Sequence, residues 1–156
     1  ARWRAGYALL ETHGLSFDLQ APWWNLDQAA QLACDFPRTL LILNHSGLPA
    51  DRSTEGLAGW RRALERLADA PNTAIKISGL GQRGLAWTEE ANVPLMRDAI
   101  AIFGASRCMF ASNFPVDSLV ASYETLLRGF LAAIAGHSEA ERRQLLHDNA
   151  VRLYRL

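Results

Sequence analysis

The chain has 156 residues, 49% of them hydrophobic, and its 16 basic side chains balance 16 acidic ones. This length and hydrophobic fraction are enough for one domain with a buried core. The zero net charge and the lack of a basic stripe argue against nucleic acid binding, and no apolar run approaches the roughly 20 residues that cross a membrane. Two cysteines without metal-ligand spacing predict buried, reduced thiols in a cytoplasmic protein.

Short uncharged runs alternate with segments of helical periodicity along the chain. We predict strands at residues 15–20, 40–44, 74–78 and 108–111, each followed by a segment with a helical apolar stripe. Such alternation is typical of a parallel sheet with flanking helices, so the predicted fold class is α/β. The chemistry of these sheets lies at the carboxyl ends of the strands.

Polar residues and a proline mark where the predicted helices begin. Asn25 and Ser118 are expected to cap the helices that follow the first and fourth strands, and Thr88 a short turn. Pro94 is expected at the start of the helix before the fourth strand. The sequence Ser138-Glu139-Ala140-Glu141 matches a capping box and predicts the start of the last helix.

Four such units are half of a closed parallel barrel. An open sheet of uncharged strands would leave two unprotected edges, whereas a (β/α)8 TIM-type barrel uses eight units and about 250 residues. We therefore predict a single partial barrel domain over residues 1–156, corresponding to the C-terminal half of the barrel. Either an N-terminal half belongs with it, or two copies associate through the exposed edges. In both cases we expect the chain alone to be inactive.

Five motifs then follow one another in the sequence: LSFDLQ at 15–20, NHSGLP at 44–49, KISGL at 76–80, FGASRCMFASNFPVD at 103–117 and DNAVRLYRL at 148–156. Together and in this order they resemble the amidohydrolase-related family, in particular its sugar-lactone and pyrone-lactone hydrolase branch. The resemblance implies that the four strands are the fifth to eighth of the full barrel. It also implies a small-molecule substrate, namely a lactone or a carboxylated ring.

The resemblance assigns two residues to the catalytic centre. The family's sixth-strand histidine maps onto His45, which could bind a metal, polarise a carbonyl or relay a proton. A histidine satisfied by backbone groups at a strand end is the alternative, and the resemblance favours the site. The eighth-strand acid, an aspartate in many members, maps onto Asn113, which has no proton acceptor near neutral pH. Asn113 could orient water or stabilise an oxyanion, or it could only cap the turn into Pro115.

The metal content is left open between none and one divalent cation, zinc or manganese. His45 is the candidate ligand. The family's first-strand pair of histidines, which contributes to the metal site where one exists, is not in this sequence. Asn113 in place of an anionic ligand argues against a firmly bound cation.

Further polar residues are candidates for substrate binding. Asp18 and Gln20 share one face of the first strand, where they could contact substrate or form a buried polar pair. Lys76 lies in an apolar strand and is expected to pair with Asp18 or another carboxylate, because lysine is rarely buried alone. Ser78 ends the same strand and belongs to the same set.

Two candidates lie in loops. Arg83 could hold a substrate carboxylate through a bidentate contact, although we favour a solvated loop charge. Asp117 could replace the missing acid or precede the next helix as part of its cap, and we favour the cap.

The leading functional hypothesis is a hydrolase that opens a lactone or a similar cyclic ester by attack of water at the C-terminal mouth of the barrel. The first alternative is a metal-dependent decarboxylase of the same superfamily. The second is a half-barrel without activity that binds a partner, for which Asn113 in place of an acid is the argument.

Overall fold

The computed structural model describes residues 2–156, and at its centre is one sheet of four parallel strands. The strands are β1 (Phe17–Leu19), β2 (Leu41–Leu43), β3 (Thr73–Ile77) and β4 (Cys108–Phe110). They pair in chain order, β1-β2-β3-β4. The α/β class and all four predicted strands are confirmed, although each strand is shorter than its apolar run.

Helices connect the strands, as the parallel arrangement requires. No helix within residues 2–156 has the length and apolarity to span a membrane. In chain order the helices are α1 (Arg2–Thr12), α2 (Leu26–Asp35), α3 (Thr54–Ala68), α4 (Glu89–Phe103), α5 (Tyr123–Ala133), α6 (Glu139–Arg143) and α7 (Asn149–Tyr154), and a π-helical segment (Gln144–Asp148) joins the last two.

Both faces of the sheet are covered, which explains why the strands carry so few charges. Leu41 and Leu43 on β2 are fully buried in the main core, with side chains of α2, α3, α4 and α5. Ile42 points to the opposite face, where it packs in a second cluster with Ala74 and Met109, against Tyr154 of α7 and neighbouring side chains.

The structure corrects three predictions about helix starts. The helix after β4 begins at Tyr123, because Ser122 accepts a hydrogen bond from the backbone of Thr125, and Ser118 instead donates to the Pro115 carbonyl. Asn25 precedes α2 but makes no capping hydrogen bond with its side chain.

The third correction concerns α4. Pro94 lies inside this helix, because Thr88 accepts a hydrogen bond from Ala91 and starts the helix at Glu89. The predicted capping box is confirmed: Ser138 and Glu141 bond reciprocally at the start of α6. The segment before β1 is helical from Arg2 to Thr12, and Ala1 lies outside the described residues.

The two cysteines differ in exposure, so the prediction of two buried thiols is wrong for Cys34. Burial raises the pKa of the Cys108 thiol to about 12. We expect one thiol to react with Ellman's reagent in the folded chain and two in denaturant, because reactivity needs an accessible thiolate. The C34S variant should lose the native reaction, and rapid native reaction of both thiols would contradict the placement of Cys108.

Candidate active site

Polar side chains cluster at the carboxyl ends of three neighbouring strands. His45 follows β2, Ser78 follows β3, and Asn113 and Asp117 lie in the segment after β4. We call these four residues the rim cluster. Ser78 and Asp117 line the same small cavity, His45 contacts Ser78, and Asn113 is bonded to Asp117. The structure therefore brings together the two predicted catalytic residues, His45 and Asn113, with two of the predicted substrate-binding residues.

The imidazole of His45 is held by the segment after β3. Its Nδ1 atom lies 3.0 Å from the hydroxyl oxygen of Ser78. Gly79 provides the space for the ring, since a Cβ atom at this position would lie 2.8 Å from His45 Cβ and 2.9 Å from its Nδ1. Gly79 also has a φ of +61°, a conformation that other residues adopt at a cost. The orientation of His45 thus depends on a glycine directly after Ser78.

The turn that carries His45 has an unusual backbone and a strong anchor. His45 and Ser46 have φ values of 54° and 53°, in the left-handed region. Trp60 of α3, which is fully buried, donates from Nε1 to the carbonyl oxygen of Ser46 at 2.7 Å. Ser46 in turn donates to the Ser78 carbonyl at 3.4 Å. Backbone strain of this kind persists only when the surroundings enforce it, and it concentrates at functional sites.

Asn113 and Asp117 form a pair in the segment after β4. The side-chain amide of Asn113 donates to Asp117 Oδ1 at 2.7 Å, and Asp117 is only 7% exposed. Asn113 has a φ of 55°, which asparagine tolerates better than most residues. Asp117 lies in a 3₁₀ turn (Val116–Leu119) that ends before α5 begins. The interpretation of Asp117 as part of the α5 cap is therefore wrong, because its carboxylate is bonded to Asn113.

Burial controls the protonation of the rim cluster. It lowers the pKa of His45, and the nearby charge of Lys76 lowers it further, against an opposing effect of Asp117. Burial raises the pKa of Asp117, while the hydrogen bond from Asn113 and the charge of His45 act in the opposite direction. At neutral pH the imidazole is therefore neutral, with one nitrogen available as a donor and the other as an acceptor.

The predicted pairing of Lys76 with Asp18 is confirmed on the face of the sheet that carries Ile42. Lys76 Nζ lies 3.2 Å from Asp18 Oδ1 and 5.0 Å from the centroid of the Tyr154 ring. The Tyr154 hydroxyl donates to the same Asp18 oxygen at 2.7 Å. The Asp18 carboxylate is thus engaged by a cation and a hydroxyl at once.

Two predicted substrate-binding residues lie outside these contacts. Gln20 follows β1 and is exposed. Arg83 is also exposed and lines a cavity of about 300 Å³ together with Arg52 and Gln82. Gly79 bounds this cavity as well, so it adjoins the His45 site.

The sequence alone did not point to Gly79 as the contact surface of the imidazole or to Trp60 as the anchor of its turn. The Ser-Gly pair at the end of β3 was a usable signal for Gly79, because a glycine beside a candidate site often permits close approach. Trp60 lies in the regular apolar stripe of α3, a pattern that predicts a core residue. Nothing in that pattern predicts the hydrogen bond of Trp60 to the Ser46 carbonyl.

The described residues do not form a metal site by themselves. Within residues 2–156 no group of three or more His, Cys, Asp or Glu side chains is placed to hold a metal ion. Asn113 is an amide bonded to Asp117, so position 113 supplies no anionic ligand beside His45. A cation at this site would need ligands from outside these residues.

The chain is similar to known proteins over nearly its whole length. The model of the amidohydrolase family (Amidohydro_2) matches residues 1–156. The uncharacterized protein y4mH of Sinorhizobium fredii is 47% identical over 99% of this chain and 52% of its own length. An L-fucono-1,5-lactonase of Burkholderia multivorans is 38% identical over 74% of this chain and 43% of its own length.

A solved structure supports the same comparison. An amidohydrolase from Burkholderia multivorans with bound zinc has a TM-score of 0.88 and 30% identity, over 97% of this chain and 56% of that chain. The chain spans about half the length of the curated relatives it matches. Its four parallel strands and flanking helices thus correspond to the C-terminal half of a TIM-type barrel, as predicted.

Proposed function

The chain belongs to the amidohydrolase family, and on this premise we propose that it forms the C-terminal half of a hydrolase that opens a lactone. The observation that carries the proposal is the rim cluster itself. A neutral imidazole, a hydroxyl, an amide and a buried carboxylate converge at the carboxyl ends of β2, β3 and β4. The name of the Burkholderia multivorans lactonase supports a cyclic ester as substrate.

In this proposal His45 polarises the lactone carbonyl. We assign to the neutral ring the tautomer in which the Ser78 hydroxyl, 3.0 Å away, donates a hydrogen bond to Nδ1. The other ring nitrogen, Nε2, then carries the hydrogen and donates a hydrogen bond to the carbonyl oxygen. Negative charge that develops on this oxygen is stabilised by a donor already held in place. Asn113 orients the substrate or the attacking water. The side-chain amide of Asn113 is itself held by its hydrogen bond to the Asp117 carboxylate.

The remaining candidates hold the rest of the substrate. Asp18, Gln20 and Lys76 present polar groups on or next to the strands, where they bind hydroxyl groups of a sugar lactone. Arg83 binds a substrate carboxylate from the adjoining cavity. These roles require the first half of a barrel to close the mouth opposite the rim cluster. We therefore expect the chain alone to be inactive.

The test uses a completed barrel. The completed barrel is this chain joined to the first four βα units of a barrel. These units come from the natural polypeptide of this chain, if that polypeptide is longer, or otherwise from the Sinorhizobium fredii relative. Sugar lactones and pyrone lactones are assayed by proton release. We expect the completed barrel to open at least one of them, and this chain alone to show less than about 1% of that rate, because half of the positioning groups are missing.

Separate measurements distinguish the lactonase from the decarboxylase and from the non-catalytic half-barrel. Failure of the completed barrel to open any lactone would contradict the proposal, and release of CO2 from carboxylated rings would favour the decarboxylase. Lack of both activities, with retained binding of a partner, would favour the non-catalytic half-barrel. Metal analysis of the completed barrel shows whether a zinc or manganese ion is bound, to which His45 would contribute one ligand.

A further inference from the structure

Hydrolysis of a lactone needs a proton acceptor, and residue 113 cannot provide one. The amide of Asn113 does not take up a proton near neutral pH. We propose that Asp117, four residues later in the same segment, accepts the proton of the attacking water. The proposal rests on the proposed function. It assigns the role of proton acceptor to a residue of the 3₁₀ turn after β4, and not to the residue at the end of the strand.

The placement of Asp117 fits this role. Asn113 donates to its Oδ1 atom at 2.7 Å, which anchors this oxygen. Within residues 2–156 the structure shows no donor to Oδ2 and no cation within ion-pair distance of the carboxylate. Asp117 lines one small cavity with Ser78, the hydrogen-bond partner of His45. One oxygen of Asp117 is therefore anchored by Asn113, and the other has no hydrogen-bond partner within residues 2–156, at a cavity that Ser78 shares.

The other carboxylate near the strands is unsuited to the same task. One oxygen of Asp18 contacts both Lys76 and Tyr154. This carboxylate is therefore already engaged in an ion pair and a hydrogen bond on the face of the sheet that carries Ile42. Asp117 has only a neutral amide as partner, and its burial disfavours the charged form. The charge of His45 acts on Asp117, and the charge of Lys76 acts on His45.

The reaction balances with these groups alone. The water oxygen attacks the carbonyl carbon while one water O–H bond breaks and its proton passes to Asp117. The carbonyl electron pair moves to the oxygen that His45 contacts. The tetrahedral intermediate then collapses, the ring C–O bond breaks, and the leaving oxygen takes the proton from Asp117. The product is the open hydroxy acid, and Asp117 returns to its ionised form.

An exchange of the two side chains tests the proposal in the completed barrel. D117N keeps an acceptor for the Asn113 amide, so a merely structural role predicts a change in kcat of less than about threefold. We expect instead a fall of at least about 100-fold in kcat with little change in KM. The double variant N113D/D117N restores the carboxylate on the other side of the same hydrogen bond. We expect it to regain at least about tenfold in kcat over D117N.

Two controls separate a failure of this assignment from a failure of the proposed function. Each variant is checked by thermal unfolding and by calorimetric binding of the lactam that corresponds to the hydrolysed lactone. If D117N does not fold, D117E and D117Q are compared, and a carboxylate advantage of at least about tenfold is expected. The assignment is overturned if wild type hydrolyses a lactone and D117N keeps its kcat. It is also overturned if the folded, lactam-binding exchange variant is no faster than D117N. If wild type opens no lactone, the proposed function fails first.

Discussion

Replacement of His45 by alanine is expected to reduce kcat/KM of the completed barrel for its lactone by about 10²- to 10⁴-fold, the usual contribution of a positioned proton-transfer or polarising group. The neutral imidazole follows β2 and lies 3.0 Å from the Ser78 hydroxyl. The rim cluster contains no second imidazole that could take over the role of His45. The measurement is steady-state kinetics by proton release with the lactone identified in the panel.

The matched control is H13A, which removes an exposed histidine from the loop before β1. It should leave kcat/KM within about twofold, because surface substitutions away from special features have small effects. Thermal unfolding of both variants establishes that the fold is intact. A folded H45A protein that retains more than about a third of the wild-type kcat/KM would remove His45 from the mechanism.

Replacement of Gly79 by alanine is expected to lower kcat/KM by about 100-fold, because displacement of a catalytic group by an ångström has effects of this size. The new Cβ would lie 2.8 Å from His45 Cβ and 2.9 Å from Nδ1, so the His45 side chain must shift from the position in which it contacts Ser78. The substitution also places a side chain at a φ of +61°, which costs about 1–2 kcal/mol.

Gly14 provides a control with a similar backbone conformation. Its φ is +62°, and a Cβ atom there would meet only Arg155 Nη1, at an ordinary contact distance of 3.5 Å. G14A should therefore show a similar loss of stability on thermal unfolding, with kcat/KM within about threefold of wild type. Equal losses of activity in G79A and G14A would show that backbone strain, and not the position of His45, limits the reaction.

The sequence was sufficient for the order of elements and the direction of the sheet. A short run without polar side chains, such as Leu41–Leu43, is stable as a strand only when both faces of the sheet are covered. The composition of such a run therefore predicts a parallel sheet with a layer on each face. The sequence was less reliable for helix starts. Ser118 and Ser122 are both competent caps, and only the path of the chain after Pro115 decides which one begins α5.

For the candidate site, the sequence placed His45, Ser78 and Asn113 at strand ends, because a parallel sheet gathers those ends at one edge. It also indicated that a cation such as Lys76 needs a partner such as Asp18. Asp117 was assigned to a cap, because an aspartate shortly before a helix usually has that role. Its bond to Asn113 depends on the left-handed backbone at residue 113, which no local pattern reveals.

What the sequence by itself determined is therefore the set of chemical groups and the edge of the sheet at which they gather, since both follow from the period of apolar residues. Only the tertiary structure decided how these groups face one another. Contacts between segments far apart in the chain set the ring of His45 against Gly79 and the Trp60 hydrogen bond beneath Ser46. Such contacts depend on packing distances, which composition and spacing do not encode.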